Sequence, residues 1–249
     1  MGVEQREVVL LIDTFNRYFE PDNARAAERV LTRAGYRVLS PDPARGRPLC
    51  CGRTFLAAGL LDGARREAER MMAALAPFVA AGIPIVGLEP SCLLTLRDEF
   101  PALLPGEAAK ALAGHAQLFE EFVDSERGAG RFRLNLGAMP GRTALLHGHC
   151  HQKAFATVQA AIKTLQLIPE LKVETFDSTC CGMAGAFGYE AEHYEMSLKI
   201  GELGVLPRLR AAPPDTLIAA CGTSCRHQIA DALGRNARHI VRLLDDALA

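Results

Sequence analysis

The triplet Cys-Cys-Gly occurs twice in this chain, as Cys50-Cys51-Gly52 and Cys180-Cys181-Gly182. Vicinal cysteines narrow what can form around them. Adjacent thiolates close a strained chelate ring on a single tetrahedral ion, whereas two metals of one sulfur-bridged cluster can accept them without that strain. A glycine after the pair suits such a centre, because a residue without Cβ lets the backbone turn sharply and bring its N–H groups to an anionic group.

The surroundings of the two triplets repeat as well. In the first half the apolar run 8–12 reads as a strand buried on both faces, and it ends at Asp13-Thr14. A helical pattern then stops at Gly35, a strand covers 36–39, and a Pro/Arg/Gly loop leads to Cys50-Cys51. A long helix from Asp62 and a short buried strand over 83–88 deliver Glu89-Pro-Ser-Cys92, followed by a helix over 93–100. Residues 107–125 read as a helix and Gly128-Ala-Gly-Arg131 as a linker.

The order then restarts. Strand 143–146 runs into His147-Gly-His-Cys-His151, helix 154–167 follows, and strand 172–176 precedes Cys180-Cys181. A helix over 189–203, strand 216–220, the loop Cys221-Gly-Thr-Ser-Cys225 and a final helix complete it. Laid over each other, the halves match Thr14 with Cys150, Cys50-Cys51 with Cys180-Cys181, and Cys92 with Cys225. The expected fold is α/β: two tandem, pseudo-twofold-related domains, 1–128 and 129–249, each with a mainly parallel sheet. Each cysteine loop follows a strand, so a cysteine-lined pocket is expected at the strands' C-terminal ends.

Composition excludes several partners. The 28 basic and 29 acidic residues leave a formal net charge of −1, and there is no tryptophan. Nothing here favours nucleic acid. The stretch 71–88 has no charged residue, yet Pro77, Gly82, Pro84 and Gly87 break it, so no transmembrane segment is expected. The polar opening Met1-Gly-Val-Glu-Gln-Arg-Glu7 does not resemble a secretory signal. A cytoplasmic chain with reduced cysteines is the expectation, peripheral at the membrane only through partners.

The second half offers Cys150, Cys180, Cys181 and Cys225 as thiolate ligands, with Cys221 as a fifth. Four or five thiolates suit an iron–sulfur cluster of 4Fe-4S type; a zinc site or ordinary buried thiols are the alternatives. In the first half Cys50, Cys51 and Cys92, with Thr14 and Glu89 beside them, could hold zinc or a site-differentiated cluster, or be a vestige. On an extended chain His147, His149 and His151 would point to one side and Cys150 to the other. His151 and His149 are candidates to orient ligands or move protons, a triple-histidine metal site being the alternative, and Arg226 and His227 are candidates to donate to sulfur. Gly182-x-x-Gly185-x-x-Gly188 follows cysteines rather than opening from a strand, which argues against a dinucleotide loop.

With the repeated triplet, Glu89-Pro-Ser-Cys92, His149-Cys150-His151 and Gly222-Thr-Ser-Cys-Arg226 in view, the chain resembles the cysteine-rich CCG domain family. That family includes the CCG-bearing subunit of heterodisulfide reductase, the iron–sulfur subunit of glycolate oxidase and the L-lactate oxidation iron–sulfur protein. The chain is most similar to the C-terminal part of FAD-linked D-lactate dehydrogenase-type proteins. The family pattern is a cysteine, then Cys-Cys-Gly, then C-x₂-C. Here Gly222, Thr14 and Glu89 stand where cysteines would, so disulfide cleavage is not carried over.

The resemblance implies electron transfer. A flavin on a partner domain or subunit takes a hydride from a 2-hydroxy acid, and clusters, including a ferredoxin-like segment or subunit, pass electrons to a quinone or other acceptor. FAD would then lie outside this chain, which would be an oxidoreductase component and not catalytic alone. The alternative is a zinc-binding structural or interaction module on the same fold without a redox role.

Overall fold

A computed structural model describes residues 6–41 and 47–249. The Pro/Arg/Gly loop expected before Cys50 falls partly on residues 42–46, outside the described residues. The chain divides into two compact units, Met1–Leu134 and Asn135–Ala249.

Unit 1 runs β1 (Arg6–Leu11), α1 (Thr14–Tyr18), α2 (Pro21–Arg33), β2 (Tyr36–Leu39), α3 (Arg53–Ala57), α4 (Leu61–Ala80), β3 (Ile85–Gly87), α5 (Pro90–Arg97), α6 (Glu99–Leu103), α7 (Glu107–His115), β4 (Ala116–Leu118) and α8 (Phe119–Gly128). Its sheet has the order β2-β1-β3-β4 with every pairing parallel. Val8, Val9, Leu10 and Leu11 are buried in series, as a strand covered on both faces requires. Ala27, Val30 and Leu31 of α2 and Leu75 of α4 are fully buried as well.

Unit 2 repeats this plan: β5 (Thr143–His147), α9 (Cys150–Ala154), α10 (Val158–Leu165), β6 (Lys172–Thr175), a 3₁₀ turn (Phe187–Tyr189), α11 (Tyr194–Glu202), α12 (Val205–Arg210), β7 (Leu217–Ala220), α13 (Thr223–Leu233), β8 (Ala237–Arg238) and α14 (Ile240–Asp246). The order β6-β5-β7-β8, again all parallel, is that of unit 1. Its core joins Leu145, Ile218 and Ala220 of the sheet to Val205, Leu209 and Ile229 of the helices, with Cys181 and Cys225 embedded in it.

Several expected helices differ: the one over 93–100 breaks at Asp98 between α5 and α6, and the one over 189–203 begins only at Tyr194. The helix over 107–125 is interrupted by β4, because Ala116, Gln117 and Leu118 pair with Ile85, Val86 and Gly87. Ladder bonding to a buried strand outweighs the local helical period there. The helix over 154–167 is split into α9 and α10 at Ala156, whose φ of 56° is left-handed. The uncharged stretch 71–88 is the end of α4, a turn and β3, and among the described residues no helix is long and apolar enough to cross a membrane.

In each unit the central pair of strands, β1–β3 or β5–β7, sends its following loops in opposite directions along the sheet. This is the switch point at which open α/β sheets leave a crevice beyond their strand ends. The cysteine loops all leave from that edge.

Candidate metal centre

In unit 2, β5 ends at His147 and the chain turns at Gly148-His149 into α9, whose first residue is Cys150. β6 leads to Cys180-Cys181, and β7 leads through Cys221-Gly222 to α13, whose first turn carries Cys225. These three strand tips bring four sulfurs into one chain of contacts: Cys150 to Cys180, Cys180 to Cys181, and Cys181 to Cys225. Cys181 and Cys225 are buried, Cys180 is half-buried and Cys150 is exposed, so the quartet opens to solvent on the Cys150 side. Cys221 is fully buried at the end of β7.

The four thiols do not share their protons evenly. Cys150 is pushed far up because it donates to Cys180, with burial and the Cys225 charge adding to this. Cys181 is pushed up because it donates to both Cys180 and Cys225. Their acceptors fall: Cys180 to about 2, first through Cys150 and then Cys181. Cys225 drops well below the thiol range through Cys181, against its burial and helped by His147 and His149. The acceptor sulfurs Cys180 and Cys225 are thus biased toward thiolate, with Cys181 between them as donor to both. Such a donor set is what a cationic metal–sulfur group replaces protons in.

Backbone geometry serves the same sulfurs. The Gly182 N–H donates to Cys180 Sγ at 3.4 Å, and the Met183 N–H donates to Cys181. This turn needs glycine: φ at Gly182 is 99°, and a Cβ there would lie 2.0 Å from the Ser197 carbonyl oxygen. Cys225 lies in the first turn of the eleven-residue α13, where the helix dipole favours negative charge.

The histidines divide their tasks. His149 caps α9, its Nδ1 accepting from the His151 N–H at 3.1 Å while Gln152 accepts from the His149 N–H at 2.9 Å. Because the chain here is a helix start and not an extended strand, ligand atoms of His149, Cys150 and His151 lie within 4.8 Å of one another instead of on opposite sides. Gly222 explains itself by this ring: a Cβ at 222 would come within 2.2 Å of His149 Cδ2. The imidazole fills the space into which any side chain at 222 would project. Arg226 donates to the carbonyls of Ala220 and Cys221 at 2.8 and 2.7 Å and to Thr223 Oγ1 at 3.0 Å, locking the β7–α13 turn. His227 Nδ1 meets the Tyr189 hydroxyl at 2.6 Å.

Unit 1 repeats these contacts with substitutions. Thr14 donates to Cys50 where Cys150 meets Cys180, and the order Cys50, Cys51, Cys92 matches Cys180, Cys181, Cys225. The Gly52 N–H donates to Cys50 Sγ at 3.4 Å, and the Arg53 N–H to Cys51. The caps are different. Asp13 caps α1, accepting from Phe15 N at 2.9 Å, Asn16 N at 3.1 Å and Asn16 Nδ2 at 2.6 Å. Glu89, 1% exposed, caps α5 and accepts from Ser91 Oγ at 2.6 Å. Burial and the neighbouring Glu89 push Asp13 up to about 6. Cys92 gains acidity from Cys51, but burial, Asp13 and Glu89 together carry it up to about 11.

Imidazole thus faces sulfur in unit 2, and carboxylate faces sulfur in unit 1. Asp13 was not among the site residues expected from sequence, and His147 entered only through the alternative of a triple-histidine metal site. Asp13 appeared only as the end of a strand, although its place one residue before Thr14 corresponds to that of His149 before Cys150.

A family model described as "Cysteine-rich domain" (CCG) matches residues 14–97 and again 144–230. The chain is 28% identical over 246 residues to one subunit of the anaerobic glycerol-3-phosphate dehydrogenase of Escherichia coli, covering 98% of this chain and 59% of that protein. It is 31% identical over 242 residues to D-2-hydroxyglutarate dehydrogenase of Pseudomonas putida, covering 94% of this chain and 22% of that protein. Lactate utilization protein A of Bacillus velezensis is 28% identical over 189 residues, 73% of this chain and 74% of that one. The chain spans 59% or less of the length of the dehydrogenase relatives. Both matched segments contain one sulfur chain at one sheet edge, and the chain belongs to the CCG cysteine-rich domain family, carrying two copies of the domain in tandem.

Proposed function

We propose that this chain is an iron–sulfur electron-transfer subunit or domain of a flavin-linked dehydrogenase acting on 2-hydroxy acids or related secondary alcohols. The observation that carries the reading is the contact of Cys150, Cys180, Cys181 and Cys225 from three strand tips, two of them poised as thiolates. These four would hold a cluster of 4Fe-4S type, with Cys221 at the strand end beside them. Such a group takes up and releases single electrons. The residues around it bury Cys181 and Cys225, donate the Gly182 and Met183 N–H groups to sulfur, and leave Cys150 as the edge open to a partner. Beside that set, His149 Nδ1 lies 3.8 Å from Cys150 Sγ and a ring nitrogen of His151 lies within 4.8 Å of both, while His227 pairs with the Tyr189 hydroxyl.

The names of the relatives support the donor side, since glycerol 3-phosphate and 2-hydroxyglutarate are both secondary alcohols whose oxidation to a ketone yields two electrons. The flavin that splits such a pair would lie on a partner domain or subunit, a ferredoxin-like cluster segment would lie between, and a quinone would be a fitting final acceptor. Attachment of the chain to a membrane surface would come through such partners.

A second site belongs to this proposal. In unit 1 the buried carboxylates Asp13 and Glu89 beside Cys50, Cys51 and Cys92 add negative charge that an anionic cluster does not need and a divalent cation does. Zinc on the three thiolates with Glu89 suits them. Unit 1 would then be structural and unit 2 would carry the electrons.

Anaerobic purification with iron, acid-labile sulfide and zinc analysis tests both assignments. The expected protein is brown, is bleached by dithionite and contains zinc. Cys181→Ser should remove iron and sulfide and spare zinc; Cys92→Ser should do the reverse. A colourless protein with zinc in both units, or equal iron loss in the two variants, would end the proposal.

A further inference from the structure

His147 lies at the last position of β5, in register with Ala220 of β7, and is 1% exposed. Its ring stacks on Phe176 with centroids 6.0 Å apart and planes 28° apart, so it has one seat. Nδ1 stands 3.1 Å from Ser178 Oγ. Nε2 is buried without a hydrogen bond of ordinary geometry, and the neighbour it affects is the sulfur of Cys225.

The tautomer follows from the other side of the serine. The exposed Lys153 ammonium donates to Ser178 Oγ at 2.9 Å, to the Ser178 carbonyl and to the Thr179 carbonyl at 3.4 Å, using all three of its hydrogens. An ammonium has no lone pair to offer, so Ser178 Oγ accepts from it and keeps its own hydrogen to give. The partner standing ready is His147 Nδ1. A neutral imidazole that accepts at Nδ1 carries its proton on Nε2.

We propose that Lys153, Ser178 and His147 form a hydrogen-bond relay whose end, the His147 Nε2–H, is directed at the Cys225 sulfur and sets the reduction potential of the group which that sulfur holds. The inference rests on the cluster assignment above and adds to it a positioning residue. A hydrogen bond to a ligand sulfur withdraws charge from the metal and favours the reduced form, so the relay raises the potential. Ser178 lies in the loop between β6 and Cys180-Cys181, so the same lysine that orients the imidazole also holds that loop.

Two readouts test this, one of them independent of any metal. In the full chain, reduced and metal-free, the long-range nitrogen–proton correlations of the His147 ring should report the Nε2–H tautomer, and Ser178→Ala should abolish that preference. In the full chain purified anaerobically, a potentiometric titration followed by electron paramagnetic resonance should give a lower potential for His147→Phe and Ser178→Ala. His147→Gln, whose amide N–H can take the place of Nε2–H, should recover most of the shift. A purely structural histidine would move iron content and leave the potential of the remaining clusters where it was.

An Nδ1–H tautomer in the unaltered chain, or a potential unchanged in Ser178→Ala, overturns the relay. If His147→Phe does not retain a cluster, Ser178→Ala decides, because it leaves the ring and its stack on Phe176 in place. A chain that binds no iron at all would refute the cluster assignment, and the tautomer would still judge the relay.

Discussion

Asp13 and His149 occupy matching places, each one residue before the start of a strand-end helix and each capping it. The carboxylate of one and the imidazole of the other give two otherwise parallel sulfur sets opposite electrostatic surroundings. Asp13→Asn tests that difference: asparagine still caps α1 through its oxygen, while its amide N–H2 replaces the oxygen that accepts from Asn16 Nδ2, at a cost of about 1–3 kcal/mol to the fold. Removing one of the two carboxylates beside Cys92 should weaken zinc retention about tenfold or more, measured by competition with a chromogenic chelator, and should leave iron content unchanged. Unaltered zinc affinity would mean that Asp13 serves α1 alone. Cysteine spacing in the sequence singled out the candidate ligands, because covalent neighbours such as Cys180 and Cys181 reveal themselves in one dimension. The charges that tell the two sets apart reach them through folding, which is why Asp13 did not stand out and why His147 was legible only as one of three alternating histidines.

At the scale of elements, long or strongly apolar segments were readable and the shortest were not. β1, β5 and β7 announce themselves as apolar runs that end at polar or cysteine-bearing turns. β4 and β8 are three and two residues long, too short for any alternation to register, and exist because a buried neighbour offers unpaired backbone groups. α13 shows how an element fixes the site. Its first turn places Cys225, while Ile229 one turn later is fully buried against the unit 2 core. Ile229→Ala should destabilise unit 2 by about 2–4 kcal/mol, the usual cost of a large-to-small change in a packed interior. Chemical denaturation would show the midpoint fall, and iron loss at lower denaturant than in the unaltered chain would follow because Cys225 rides on the same helix.

Across the whole molecule, each unit gathers its cysteines at one edge of its sheet. In unit 1 the far edge is tied by Tyr36 at the start of β2, which donates to Glu126 of α8 at 2.5 Å across 90 residues of sequence. Burial, and then the bond to Glu126, raise this phenol to about 12 from its ordinary 10.0. A raised pKa means that the folded chain holds the proton more tightly than the unfolded one. The stabilisation is therefore complete below pH 10 and is lost as pH rises through about 12. Stability measured across that window should fall more steeply in the unaltered chain than in Tyr36→Phe; parallel curves would contradict the assignment.

Of the five cysteines at the unit 2 edge, Cys150 alone is exposed. An electron carrier would approach by that opening, and dioxygen has the same path. Decay in air would accordingly begin with the bond from metal to that one residue. A protein seated over the mouth would act as a shutter as much as a wire, and the chain handled without one should be the more perishable.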